Sequence, residues 1–328
     1  MIVLVRRGAD PAAVQATLQG LGLWTVLERG QGAVALRALP ASARVDAGRV
    51  REVDGVEDVL EPASAHPRVD AQAGLGLALG DLRLGPGAGP VLMAGPCAVE
   101  SAAQAREAAA LVADAGGRVL RGGAYKPRTS PYAFQGVGAA GLDWLRAAAD
   151  AEGLAVVTEV LSEADAPAVA NVADLVQVGA RNMQNFALLR AVGATGAAVL
   201  LKRGPAATLE EWLLAAEHLL AAGARGVAFC ERGVRGFDPA TRHALDLSGV
   251  ALLAAQGQPV VVDPSHAAGR RDLVAPLARA ALAAGAHGLL VEVHPDPATA
   301  RSDGPQALDP AAWRALAASL ALPAPVRA

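Results

Sequence analysis

Two patterns of apolar and polar positions run along this chain of 328 residues. Up to residue 65, short apolar stretches alternate with helical spacing. "MIVLVRR" predicts a strand, "DPAAVQATLQGLG" a helix closed by glycine, and "LWTVLERG" with "GAVALRA" a hairpin. "AGRVREVDG" then predicts a short helix and "VEDVLEP" a last strand, which completes a βαββαβ, ferredoxin-like order over residues 1–65. Residues 66–90 are rich in Gly, Ala and Pro and predict a linker and a hairpin leading into the next domain.

From residue 91 to 328 the pattern becomes short apolar runs separated by longer Ala- and Leu-rich helical segments. Eight strands are expected: "VLMAG" (91–95), "RVLRGGA" (118–124), "AVVTEV" (155–160), "LVQVGA" (175–180), "AVLLKR" (198–203), "GVAFCER" (226–232), "PVVVDPS" (259–265) and "GLLVEV" (288–293). Strands alternating with helices imply a parallel sheet with right-handed crossovers. Eight such units in this length fit an α/β fold of the (β/α)8 TIM-barrel type. A doubly wound sheet is the other arrangement, but no GxGxxG turn follows the first strand.

Chemistry gathers at one end of these strands. Their C-terminal ends carry Cys97 and Glu100; Arg121, Lys126 and Arg128; Glu159; Arg181 and Asn182; Lys202 and Arg203; Glu231 and Arg232; Asp263 and His266; Glu292 and His294. The N-terminal ends carry nothing comparable. In a barrel, the C-terminal rim is where active sites form. Six cations (Arg121, Lys126, Arg128, Arg181, Lys202 and Arg232) would repel one another on that rim unless an anion neutralised them. A single such cation often just pairs with a carboxylate at a helix end; six together point to phosphate or carboxylate ligands.

Composition sharpens this picture at one point. Of 29 Lys and Arg residues only Lys126 and Lys202 are lysine, and both stand at strand ends. A chain-wide preference for arginine has spared lysine where a compact, transferable proton is useful. The net charge of −3 provides no basic field for nucleic acid or an anionic membrane. With neither a signal-type leader nor an apolar run of membrane length, the sequence predicts a soluble cytoplasmic protein.

Cys97 and Cys230 are too few for a disulfide framework. Cys97, His266, Glu292 and Asp303 could bind a divalent first-row metal ion, although taken singly Cys97 reads as a small buried residue and His266 as a loop histidine. Cys230 lies inside an apolar strand, His66, His218 and His243 read as surface or helix residues, and His287 precedes the last strand, on the wrong face.

The strand-end segments "AGPCAVES", "LRGGAYKPRTSPYAFQG", "VTEV", "QVGARNMQNFALL", "LLKRG", "CERGVRGF", "VDPSHAAGRRDLV" and "GAHGLLVEVHPDPATARSDGPQAL" closely resemble the type I-beta 3-deoxy-D-arabino-heptulosonate 7-phosphate (DAHP) synthases. The resemblance runs from about residue 75 to 320, and the N-terminal module matches one branch of that family by pattern. It implies condensation of phosphoenolpyruvate with erythrose 4-phosphate at the head of the shikimate pathway. It also implies Cys97, His266, Glu292 and Asp303 as ligands of one divalent ion, Mn²⁺ before Fe²⁺, Co²⁺, Zn²⁺ or Cd²⁺. Arg121, Lys126, Ala180, Arg181, Lys202 and Arg232 fall at positions holding phosphoenolpyruvate; Arg128, Thr129, Ser130 and Asp263 fall on the aldose phosphate side. Lys126 is the expected general acid, with Glu159 or His266 handling the protons of the attacking water.

The resemblance further implies a homotetramer and an aromatic amino acid effector that closes the N-terminal module over the rim. Two positions depart from the family pattern: Ala98 stands where serine is frequent, and Pro205 where an apolar side chain is usual. Two other activities compete. An octulosonate 8-phosphate synthase would carry "KANRS" where this chain has "KPRTS", and a Schiff-base aldolase would use Lys202 as nucleophile.

Overall fold

Each predicted strand forms, several of them shorter than the apolar pattern suggests. The computed structural model describes residues 1–29, 34–39, 41–43, 45–61, 63–128 and 130–320. Its contacts divide the chain into two units, Met1–Ala65 and His66–Ala328.

The first unit runs β1 (Ile2–Val5), a helix (Pro11–Gly20), β2 (Thr25–Arg29), β3 (Val34–Ala38), a helix (Ala47–Arg51) and β4 (Val56–Leu60). The sheet is antiparallel in the order β2-β3-β1-β4, the ferredoxin-like arrangement. The expected turn between β2 and β3 falls on residues 30–33, outside the described residues. Asp10 and Asp46 start the two helices by accepting hydrogen bonds from the backbone N–H groups of Ala12 and Arg49. Val14, Leu18 and Val50 from the helices meet Val3, Leu36 and Val59 of the sheet in a core of their own.

In the second unit a short helix (Pro67–Ala71) precedes a two-stranded hairpin, β5 (Leu77–Leu79) and β6 (Leu82–Leu84). The barrel follows: β7 (Val91–Gly95), β8 (Val119–Arg121), β9 (Ala155–Val160), β10 (Leu175–Val178), β11 (Ala198–Lys202), β12 (Gly226–Glu231), β13 (Val260–Val262) and β14 (Gly288–Glu292). All eight are parallel and pair in chain order, and β14 closes on β7. Helices cover the outside, so every strand is buried on both faces and reads as a continuous apolar run.

The hairpin is the floor of this barrel. Its four leucines, Leu77, Leu79, Leu82 and Leu84, are buried among the side chains that fill the interior, including Met93, Val119, Leu175 and Leu290. Leu77 lies against Gly226, the first residue of β12, which places the floor at the N-terminal ends of the strands. Chemistry is left to the opposite end.

Two strand ends differ from expectation for local reasons. Asp263 leaves the sheet and caps a short helix (Pro264–Ala268), accepting from the His266 N–H, so β13 stops at Val262. Ala180–Asn182 forms a 3-10 turn after β10. At Gly95, with φ near +144°, a Cβ would lie 2.1 Å from the Arg121 carbonyl oxygen; only glycine lets β7 and β8 run this close at the rim.

Candidate active site

At the C-terminal rim a cavity of about 310 Å³ is lined by Arg121, Lys126, Arg128, Arg181, Lys202 and Arg232, the six cations expected there. Arg235 and Arg242 join them. Three of these cations are neutralised within the protein: Arg121 by Glu292 at 2.6 Å, Lys202 by Asp263 at 2.6 Å, and Arg242 by Asp303 at 3.4 Å. Among the described residues, Lys126, Arg128, Arg181, Arg232 and Arg235 have no carboxylate in ion-pair contact. Such an excess of positive charge at a partly buried site calls for anionic ligands.

Beside the cavity, Cys97, His266, Glu292 and Asp303 bring one ligand atom each to within 4.8 Å of one another. They come from four different places: the loop after β7, the short helix after β13, the last residue of β14 and the loop that follows it. Asp303 adopts a left-handed backbone, φ +55°, which aspartate tolerates better than most residues. Its Oδ2 accepts from the Cys97 thiol at 3.0 Å. The Glu292 backbone N–H donates to Ser265 at 3.0 Å, and its side chain accepts from Arg121 and from the Gln306 amide.

Charge states follow from these contacts. Burial, aided by Glu292, pushes the Cys97 thiol up to about 11 against the pull of Lys126 and Arg121. Burial would raise Asp263, but His266 and Lys202 outweigh it and hold this carboxyl well below the usual range. An ionised Asp263 can only accept, so the 2.6 Å contact from His266 Nδ1 to its Oδ2 carries the Nδ1 proton. Burial keeps the His266 imidazole below its ordinary pKa, and Nε2 is left facing Glu292 Oε1 at 3.4 Å. Asp303 and Glu292 are also depressed: burial raises both, yet the Cys97 hydrogen bond and nearby cations prevail at Asp303, and His266 with Arg121 prevails at Glu292. A neutral imidazole, two carboxylates and one thiol form a donor set that fits a divalent transition ion.

Glu159 is buried on the cavity wall and accepts from the Gln177 amide at 2.9 Å. A Cβ on Gly179 would lie 2.0 Å from its Oε1, so that glycine makes room for the carboxylate. Lys126 donates from Nζ to the Cys97 carbonyl at 2.7 Å and lies 3.0 Å from its sulfur. Ala180 also lines the cavity.

Asp263 and Ser130, expected on the aldose side, are not among the cavity-lining residues. Asp263 is fully buried, and its carboxylate accepts from Lys202 and contacts His266 Nδ1, each at 2.6 Å. Ser130 is exposed, is not among the cavity-lining residues, and accepts from the Tyr132 N–H at 3.3 Å. Thr129 falls outside the described residues. Arg203 and Glu231 turn away from the cavity into a buried ion pair of 3.0 Å, reinforced by Asp246. Lys202, the nucleophile of the Schiff-base alternative, is held by the Asp263 carboxylate at 2.6 Å.

Other residues escaped the sequence reading. His243, expected at the surface or in a helix, lines the cavity, and among the described residues its buried Nδ1 has no hydrogen-bond partner. Burial, then Arg232, Arg242 and Arg235, push it down to about 4, so it is neutral. Gln306, an uncharged amide, links Arg242 to Glu292.

The model of the DAHP synthetase I family matches residues 65–321. The chain belongs to this family. Among DAHP synthetase I relatives, the phospho-2-dehydro-3-deoxyheptonate aldolase of Thermotoga maritima is 45% identical over 316 residues, covering 94% of this chain and 93% of that one. A crystal structure of the Thermotoga maritima enzyme, also named DAHP synthase, superposes with a TM-score of 0.75 at 43% identity, covering 97% of this chain and 95% of that one. The 2-dehydro-3-deoxyphosphooctonate aldolase of Acidithiobacillus ferrooxidans is more distant, 35% identical over 66% of this chain and 83% of its own length. Within the DAHP synthetase I family, then, likeness over nearly the whole chain is to the heptulosonate enzyme. Among the described residues, no helix is long and apolar enough to cross a membrane.

Proposed function

We propose that the protein condenses phosphoenolpyruvate with D-erythrose 4-phosphate and water to give DAHP and phosphate, a 3-deoxy-7-phosphoheptulonate synthase reaction. The observation that carries this reading is the cavity lined by eight cations beside a Cys–His–Glu–Asp cluster. Two phosphorylated substrates held side by side need such a charge excess, and holding them turns a bimolecular encounter into an intramolecular one.

Arg121, Lys126, Ala180, Arg181, Lys202 and Arg232 hold the phosphate and carboxylate of phosphoenolpyruvate; Arg128 takes the phosphate of the aldose. C3 of phosphoenolpyruvate attacks the aldehyde carbon, and the new alkoxide takes a proton from Lys126. Two of the three donors on that ammonium are directed at Cys97, which fixes the third relative to the cavity. Water adds at C2 and gives its proton to Glu159, since both nitrogens of His266 are already committed to Asp263 and the cluster. The C2 hydroxyl then becomes the ketone carbonyl, its proton passing to the departing phosphate, as the bond between C2 and the bridging oxygen breaks and phosphate leaves with that oxygen.

Cys97, His266, Glu292 and Asp303 would hold a divalent ion, Mn²⁺ foremost, which supplies Lewis acidity toward the aldehyde carbonyl. Asp263 serves both Lys202 and His266 by orienting them. The homotetramer, the cytoplasmic setting and an aromatic effector on the N-terminal module belong to the same reading.

Pro127 lines the cavity between Lys126 and Arg128, where it shortens the sugar site in favour of four carbons. Erythrose 4-phosphate and arabinose 5-phosphate assayed in parallel for consumption of phosphoenolpyruvate test the substrate. Preference for erythrose 4-phosphate is expected; preference for the five-carbon sugar would assign the octulosonate reaction instead.

A further inference from the structure

The loop after β14 carries more than Asp303. Its Arg301 places a guanidinium over the Phe134 ring, 3.7 Å from the guanidinium carbon to the ring centroid. Phe134 belongs to the loop after β8, the same loop that bears Lys126 and Arg128. The Phe134 carbonyl accepts a 2.9 Å hydrogen bond from Arg128 Nε. Among the described residues Arg128 has little else to hold it: its Nη2 is buried with no hydrogen-bond partner there, and no carboxylate pairs with it.

The base of the clamp is fixed on both sides. The Arg301 N–H donates to Glu100 Oε1 at 2.8 Å, and the next residue, Ser302, lies 3.1 Å through its hydroxyl from Cys97 Sγ. Arg301 therefore leaves a backbone anchored at the metal-type cluster and reaches across to the loop that presents Arg128. A cation stacked on an aromatic face holds ring and guanidinium in one relative orientation.

We infer that Arg301 is a positioning residue for the second substrate: stacked on Phe134, it fixes the carbonyl that orients the Arg128 guanidinium on the cavity wall. The inference rests on the proposed assignment of Arg128 to the aldose phosphate. It gives the loop after β14 two tasks, one at the cluster through Asp303 and one at the sugar end through Arg301.

Steady-state kinetics with each substrate varied in turn, on the full chain, tests it. Arg301→Ala is expected to raise KM for erythrose 4-phosphate about twofold to fivefold, the range of a surface cation–π contact. KM for phosphoenolpyruvate and the affinity for Mn²⁺ should stay as in the unmodified protein. Arg301→Lys, which keeps a cation over the ring, should recover part of the loss. In a Phe134→Leu background Arg301→Ala should add nothing further. Unchanged KM for the aldose in Arg301→Ala, an equal rise for both substrates, or additive effects of the two substitutions would overturn the inference. Arg128→Ala separates the two levels: a rise of roughly tenfold or more supports its assignment. If that variant rises while Arg301→Ala does not, the inference alone falls. If Arg128→Ala leaves KM for the aldose unchanged, the assignment falls and the inference with it.

Discussion

Lys126 is one of two lysines in a chain that otherwise uses arginine, and the structure gives that choice a physical setting. Its ammonium is buried against Cys97 at the cavity wall, where a proton donor is wanted. Lys126→Arg keeps the charge but replaces a transferable proton with a guanidinium that stays protonated. The expected result is a fall in kcat of about a hundredfold or more with KM for phosphoenolpyruvate nearly preserved. Near-normal turnover in steady-state assays would remove Lys126 from the acid role.

Cys97 makes a second prediction. A thiol at about 11 carries its proton at neutral pH, whereas a metal ion takes the thiolate. His266 sits below its ordinary value and is neutral above pH 7, so it adds no proton to the exchange. Binding of Mn²⁺ should thus release one proton, and apparent affinity should rise about tenfold per pH unit between roughly pH 7 and 9. Calorimetry in buffers of different ionisation enthalpy measures that proton, and its absence would contradict the thiolate.

At this scale the sequence shows which residues stand at strand ends but not which way each one turns. Lys202 and Arg203 are neighbours, yet the first faces the cavity and the second is drawn to Glu231 and Asp246. Asp263 becomes an orienting group because capping a short helix points its carboxylate at His266 and Lys202.

At the scale of elements, the strands were legible because parallel strands buried on both faces are continuous apolar runs between helical repeats. Loops leave no such record. Arg235, Arg242 and His243 reach the cavity because the loop after β12 doubles back, through an antiparallel bridge between Val234 and Ala244. Arg242 and His243 then donate backbone hydrogen bonds to Ala268 and Ala267. Nothing in their spacing announces that fold-back.

The hairpin β5–β6 was expected, but its role as a floor depends on contacts with strands far along the chain. Leu84 is fully buried there, so Leu84→Ala should destabilise the barrel by about 2–5 kcal/mol. Denaturant unfolding measures that loss. Because the floor lies at the end away from the rim, KM values should not move with it; a large change in KM would show that the two ends are coupled.

At the scale of the molecule, the first 65 residues build their own sheet and core, distinct from those of the barrel. On the proposed reading that an aromatic amino acid acts through this module, removing Met1–Ala65 should leave a folded barrel that still turns over and that the amino acid does not inhibit. Inhibition that survives the deletion would put the effector site elsewhere.

The barrel itself joins two chemistries on one rim, a cavity of cations and a soft–hard donor cluster. Turnover should require both. The rate at which phosphoenolpyruvate disappears with erythrose 4-phosphate is followed in the untreated protein, after chelation, and after Mn²⁺ is returned. Turnover, its loss with the chelator and its recovery with Mn²⁺ are expected. Full turnover in the chelated protein would contradict that requirement.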